Sequence, residues 1–354
     1  GVTKRIMNCC EVLTARMPGG LAQVNILLST LMGGLSGSSL ADAAMQCKML
    51  VPTMESKGYS KSFSTVITAA SGMVVPLIPP GVGLIIYGCI NNISIGKLFI
   101  AGIGPGIVLC VTLMIFTHFL SKKRGYLPSR TTKIPVSEKI AAVRPAFLPL
   151  LLPIIIIGGV RIGVFTASEA GTVAIVYAVL LGLLYKELTL KNVMQGCKET
   201  VTTTASIMLI VAAATCFSWI LTKEQIPQQF SQWMISNIHN KYVFLIMVNI
   251  FLLIVGMFIE GNASMIVLAP LLHPVAMAYG IDDIHFAMVY IFNCTIGAFT
   301  PPMGTLMFVS CGITKCPTKD FIKEAVPFYI LFAIDIIVLT YIPQLTTFLV
   351  NVFY

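Results

Sequence analysis

The sequence predicts an all-α polytopic membrane protein made of inverted-topology repeats, with two re-entrant helical hairpins and two discontinuous helices. Three observations carry that prediction. Apolar residues fill 56% of the 354 positions and charged ones only 10%, whereas a soluble chain carries roughly 25% charge; mean hydropathy is +0.90. A single gapless shift of 222 positions (256 minus 34) places Gly34 on Gly256, Pro52 on Pro274, Gly58 on Gly280, Pro79-Pro80 on Pro301-Pro302, Phe99 on Phe321 and Pro105 on Pro327. Such a register marks an internal duplication. Finally, lysine and arginine divide unevenly between the two ends of the apolar runs, as topology signals do.

The elements follow in order. Residues 1–20 are mixed and basic, without the short apolar core and small-residue cleavage site of a secretory signal. Leu21 to Gly33 and Ser39 to Met54, 13 and 16 residues, flank the polar tip Gly34-Leu35-Ser36-Gly37-Ser38-Ser39. A helix needs ~20 residues to span the hydrocarbon, so the pair reads as a re-entrant hairpin over 21–54. Tyr59 to Pro76 is a half-helix. Pro76-Leu77-Ile78-Pro79-Pro80-Gly81 interrupts it, because prolines lack the N–H donor and clash with the preceding turn. The broken helix resumes to about Ile95 and closes the unit 59–95. A span over 98–120 ends the first repeat, 1–120.

A basic cytoplasmic linker, 121–146, is read as loop plus a short interfacial helix. The second repeat, 147–354, opens with spans over 147–185. An interfacial arm over 186–200 shows alternating polar and apolar faces, and a span covers 202–221. The second hairpin is 242–279, with its tip from Gly256 to Ala263. The second broken helix is 284–311, interrupted at Phe299-Thr300-Pro301-Pro302-Met303-Gly304, and the last span is 328–347.

Placing the base of the first hairpin in the cytoplasm puts 19 of the 23 Lys/Arg on that side and leaves Lys97, Arg161, Lys223 and Lys241 outside. The second hairpin then enters from the opposite face, which is the inverted-repeat plan of secondary transporters. The register also predicts residues before Gly1. The spans preceding the second hairpin start near Pro145, and 145 minus 222 is −77, so ~70 to 80 residues of the natural subunit are expected upstream.

Interrupted backbone inside a membrane is tolerated where it lines a cavity or meets an ion. Half-helix C-termini offer carbonyls to a cation, and N-termini offer N–H groups to a carboxylate. Gly34 and Gly256 are expected as glycine C-caps that free carbonyls. Candidate cation ligands, for sodium at two sites, are Gly34, Ser36, Ser38, Ser39, Pro76, Pro79, Gly81, Gly256, Asn262, Gly297, Thr300 and Met303. Ser38, Ser39, Asn262 and Thr300 are the candidate substrate contacts. Hard oxygen donors with few carboxylates suit an alkali cation better than zinc. Ser38-Ser39 also reads as an N-cap with Asp42 completing a capping-box-like pattern. Glu260 is a costly intramembrane acid and a functional candidate, while Asp335 reads as a helix–helix contact.

The tip Gly34-Leu35-Ser36-Gly37-Ser38-Ser39-Leu40-Ala41-Asp42-Ala43-Ala44, the Ile78-Pro79-Pro80 break, Glu260-Gly261-Asn262-Ala263 and Thr300-Pro301-Pro302-Met303-Gly304 resemble the large membrane (M, DctM-like) subunit of TRAP transporters, the tripartite ATP-independent periplasmic transporters. The likeness runs along essentially the whole chain. It implies an elevator-type fold like that of the ion-transporter superfamily, in the inner membrane of a bacterium. It further implies sodium-coupled uptake of a C4-dicarboxylate, sialic acid or other organic or sugar acid, a small membrane (Q) subunit, and a periplasmic substrate-binding protein. The absent upstream portion departs from the family pattern and leaves both tips intact.

Two rivals stand beside this. Gly34-Leu35-Ser36-Gly37 matches the Gly-x-Ser-Gly of rhomboid-like intramembrane proteases, which need a histidine base near Ser36; only His118 and His273 are placed in the membrane. A two-component sodium/anion symporter would need no binding protein. Nucleic acid is excluded as a partner, because the net charge of +9 is spread between apolar runs. The ten cysteines show no metal-ligand spacing and read as free thiols. The four histidines and the methionines read as structural.

Overall fold

The computed structural model describes residues 2–130, 132 and 134–354; Gly1, from which the upstream count starts, and Lys133 of the basic linker lie outside the described residues. Sixteen helices form among them: α1 (Val2–Thr14), α2 (Gly20–Ser36), α3 (Ser39–Ser56), α4 (Lys61–Gly72), α5 (Val82–Asn91), α6 (Ile95–Lys123), α7 (Val136–Arg161), α8 (Ala167–Leu184), α9 (Leu190–Lys223), α10 (Ile226–Asn237), α11 (Lys241–Phe258), α12 (Gly261–Ala278), α13 (Asp283–Gly297), α14 (Thr305–Thr314), α15 (Thr318–Tyr341) and α16 (Gln344–Phe353). Six are long and apolar enough to cross a membrane: α6, α7, α8, α9, α11 and α12. The pair α15–α16, bent by 49°, passes the same test when taken together. The chain is a membrane protein, and its exposed apolar side chains, such as Phe119, Ile154, Ile175 and Leu209, are those of a lipid-facing surface.

The 222-residue register reappears in the helices. Adding 222 to the bounds of α3 gives 261–278, the bounds of α12; adding it to the bounds of α2 gives 242–258, within a residue of α11. Both breaks fall where the prolines require them: no helix continues between Gly72 and Val82, nor between Gly297 and Thr305. The Pro79–Pro80 and Pro301–Pro302 peptide bonds are both cis.

Buried amides tie each broken helix to its hairpin. Ser71 Oγ donates to Asn25 Oδ1 at 2.8 Å, and Asn25 Nδ2 donates to Thr68 Oγ1 at 2.6 Å. Across the register (293 minus 222 is 71), Asn293 Nδ2 donates to Asn249 Oδ1 at 2.8 Å, and Asn249 Nδ2 to Thr340 Oγ1 at 3.0 Å. Leaving one such buried group unpaired costs about 1–3 kcal/mol, so these contacts fix which helices touch as firmly as apolar packing does. The core centres on α13, buried along Ile284–Gly297, with Phe286, Tyr290 and Phe292 fully enclosed.

Several expectations need correction. The hairpin helices run to 17 or 18 residues, longer than the 13 and 16 counted for the first hairpin, because helical hydrogen bonding continues through the polar residues at their ends. Shortness therefore does not by itself force re-entry. Among the described residues the linker holds no separate interfacial helix. Helix α7 runs unbroken from Val136 through Pro145, Pro149 and Pro153, prolines four apart that share one face.

The arm over 186–200 and the span over 202–221 are one helix, α9. The β-branched run at its middle is accommodated by hydroxyls bonding back to carbonyls four residues earlier: Thr200 to Gly196 at 2.8 Å and Thr202 to Lys198 at 3.0 Å. Helices α1 and α10 form where the sequence predicts a mixed segment and a connection. The last span stops at Tyr341, and α16 follows Pro343. Asp335 makes the expected helix–helix contact, accepting from Thr112 Oγ1 at 3.0 Å.

Candidate functional site

The first tip is shaped by a glycine. Gly37, not Gly34, is the left-handed C-cap of α2, with φ 60° and its N–H bonded to Gly33 O. Its own carbonyl accepts from Val82 N at 3.3 Å, and a Cβ there would lie 2.6 Å from Pro80 O. The tip is thereby docked onto the first break. Gly34 lies within α2 against Pro153. The second tip is seated differently. Gly256, also within its helix, meets Gly297 backbone to backbone: a Cβ on Gly297 would lie 2.6 Å from Gly256 Cα. Only glycine at both positions lets α11 and α13 approach so closely.

Four helices begin at this level. Ser38 caps α3, its hydroxyl accepting from Ala41 N at 3.4 Å, and Glu260 caps α12, its carboxylate accepting from Ala263 N at 3.0 Å. Gly81 and Gly304 precede α5 and α14. Asp42 does not complete a capping box. It is four residues beyond the cap and points into the bundle, where it accepts from Ser29 Oγ at 2.7 Å and Gln46 Nε2 at 2.8 Å.

One cavity of about 190 Å³ joins these parts. Tip one supplies Gly37, Ser38, Ser39 and Leu40, and break one supplies Pro76, with Val82 and Gly83 of α5. Tip two supplies Glu260, Gly261, Asn262 and Met265. Break two and its flanks supply Cys294, Thr295, Ala298 and Thr305. Thr203 and Ile207 of α9 complete the wall. No lysine or arginine lines it.

Of the sequence-derived candidates, Ser38, Ser39, Pro76 and Asn262 therefore line one space. Gly34, Ser36, Pro79, Gly81, Gly256, Gly297, Thr300 and Met303 are not among its lining residues; they form the tips and turns around it. The Thr300 hydroxyl donates to Ile296 O at 2.8 Å, and Met303 is 56% exposed. Sequence reasoning missed Thr203, Ile207, Cys294, Thr295 and Thr305. Nothing about α9 marked it as a cavity wall, because that wall exists only through packing on α10 and α12. Thr305 was findable, being the first residue after the second break.

The protease geometry is not assembled. His273 Nδ1 pairs with the Tyr87 hydroxyl at 3.2 Å, and His118 stacks edge-on against Phe119. Neither reaches Ser36. Among the described residues no group of three His, Cys, Asp or Glu side chains is placed to hold a metal ion.

Comparison with known proteins decides the family. Residues 1–345 match the family model of the tripartite ATP-independent periplasmic transporter, DctM component. The chain belongs to the TRAP transporter DctM family. Over its whole length it is 40% identical to the sialic acid TRAP transporter large permease protein SiaM of Vibrio cholerae, covering 82% of that relative. It is 35% identical over 352 residues to the C4-dicarboxylate large permease protein DctM of Pseudomonas aeruginosa, 99% of this chain and 82% of that one. It is 34% identical to the 2,3-diketo-L-gulonate large permease protein YiaN of Escherichia coli over 346 residues, 98% and 81% of the two chains. As a TRAP permease it is a transporter, not an enzyme.

Proposed function

We propose that this permease couples sodium entry to the uptake of a carboxylate-bearing solute, in an elevator-type cycle in which the tips and breaks carry the cavity across the membrane. One observation supports it above others: the starts of α3, α5, α12 and α14 all meet the cavity. Each helix N-terminus carries the equivalent of about half a positive charge; those of α5 and α14 have no side-chain cap, whereas Ser38 and Glu260 already accept an N–H at α3 and α12. With no lysine or arginine in the lining, these ends are the anion receptor, and Ser38, Ser39 and Asn262 add hydroxyl and amide donors. Thr300, beside the second break, stays a proposed solute contact from a neighbouring turn.

Sodium is proposed at two register-related positions. One uses Gly34, Ser36, Ser38, Ser39, Pro76, Pro79 and Gly81; the other uses Gly256, Asn262, Gly297, Thr300 and Met303. Carbonyl, hydroxyl and amide oxygens of this kind suit an alkali cation. The division into inverted repeats, with 121–146 as linker, rests on the register and on the Lys/Arg asymmetry.

Relatives named large permease proteins, and an isethionate permease protein DctMQ from Oleidesulfovibrio alaskensis at 32% identity, support a small membrane subunit as companion. The family description supports a periplasmic binding protein that delivers solute across from the bacterial inner membrane. Sialic acid and dicarboxylates are the solutes the relatives' names point to. Reconstituted with both partners, the protein takes up organic acid when sodium is high outside and needs no ATP. Uptake that persists with potassium in place of sodium, or that requires ATP, overturns this reading.

A further inference from the structure

Helix α9 contributes to the cavity in a way the tips and breaks do not. Serine and threonine inside helices normally return their hydroxyls to the carbonyl four residues back. On α9, Thr200, Thr202, Ser206 and Thr215 all do so, at 2.8–3.0 Å. Neither Thr203 nor Thr204 forms such a bond among the described residues; of the two only Thr203 lines the cavity, with Ile207 one turn further on.

Its position decides what it suits. Thr203 lies in the middle of Leu190–Lys223, and the charge at helix ends fades within the first and last turns. Its hydroxyl is therefore a neutral group, both donor and acceptor, unlike Ser38 and Ser39 at a helix start. Glu260 also lines this cavity, and no cationic side chain does. A second carboxylate on the solute would face Glu260 with no lysine or arginine side chain to offset it. A hydroxyl or amide would instead find a partner for its proton and its lone pairs.

We propose that Thr203 is a specificity-determining residue, whose hydroxyl on α9 engages a neutral hydroxyl or amide of a monocarboxylate held by the helix N-termini. This rests on the carboxylate-uptake reading above and names its substrate class: acids with a neutral polar tail, as against dicarboxylates. The 190 Å³ space is below the ~300–1,000 Å³ of typical small-molecule sites. A sugar-sized acid therefore fills it and touches its walls, α9 among them.

The test is equilibrium binding of sialic acid, with succinate as competitor, to the full subunit complex in lipid nanodiscs with sodium present. Thr203→Val is expected to weaken sialic acid binding about tenfold, the scale of one good hydrogen bond. Thr203→Ser restores it, and neither variant shifts the melting temperature or the sodium concentration at half-saturation. Succinate does not compete. Wild-type affinity in Thr203→Val, failure of Thr203→Ser to rescue, or competition by succinate equal to that of sialic acid overturns the proposal. A wild-type complex that binds no organic acid at all overturns instead the carboxylate reading beneath it.

Discussion

Replacing Gly297 by alanine tests how the second tip is held. A methyl group there would lie 2.6 Å from Gly256 Cα and 2.8 Å from its carbonyl carbon, so α11 and α13 must separate. Neither atom belongs to a flexible side chain that can rotate away. Over-packing of this kind costs about 1–3 kcal/mol, while alanine in place of a helical glycine returns roughly 0.5–1 kcal/mol. Because the clash is with backbone, the upper half of the cost applies. The net loss is about 1–2.5 kcal/mol, a factor of roughly 5–70 in the folding equilibrium. Gly171→Ala on α8, where a Cβ meets nothing within 4 Å, is the control and should be neutral or slightly stabilising. Thermal melts of the purified complex, alongside solute uptake, provide the readout. A Gly297→Ala protein as stable and active as the Gly171→Ala control would refute the close-packing argument.

Other consequences follow from the same geometry. Gly37→Ala meets both a left-handed backbone, costing about 1–2 kcal/mol, and the Pro80 carbonyl; it should impair uptake more than Gly280→Ala, which has positive φ but open space around it. Thr300→Ala and Ser38→Ala are each expected to raise the sodium concentration for half-maximal uptake, and unchanged sodium dependence in both would count against the proposed sites. Asp335→Ala removes the acceptor of Thr112 and should lower thermal stability by about 1–3 kcal/mol while leaving solute affinity alone. Ser36→Ala should abolish no proteolysis, since no histidine pairs with it; loss of cleavage of a membrane substrate would revive the protease reading.

The parts legible in the sequence were those marked by residues with only one conformational use. Prolines at 79–80 and 301–302 announced both breaks, and the 222 register carried the hairpin positions from one half to the other. The tip glycines were legible as tips but not in detail. Gly37 caps α2 and Gly34 does not, a distinction that depends on where the carbonyls of Pro80 and Gly33 lie. Asp42 looked like a capping partner because the local pattern ignores Ser29 and Gln46, which reach it only through packing. Helix α9 was split at residue 200 because its composition changes there while its backbone does not. Its part in the cavity, through Thr203 and Ile207, depends on how it lies against α12, and no local pattern encodes that.

The account stands on the two tips and two breaks sharing one space, in which solute is proposed to bind. Cysteines introduced singly at Ser39 and Asn262 of the full protein, probed with a small thiol reagent, test this most directly. Saturating organic acid together with sodium should slow modification at both positions. Protection at only one of them, or at neither, would contradict the shared cavity.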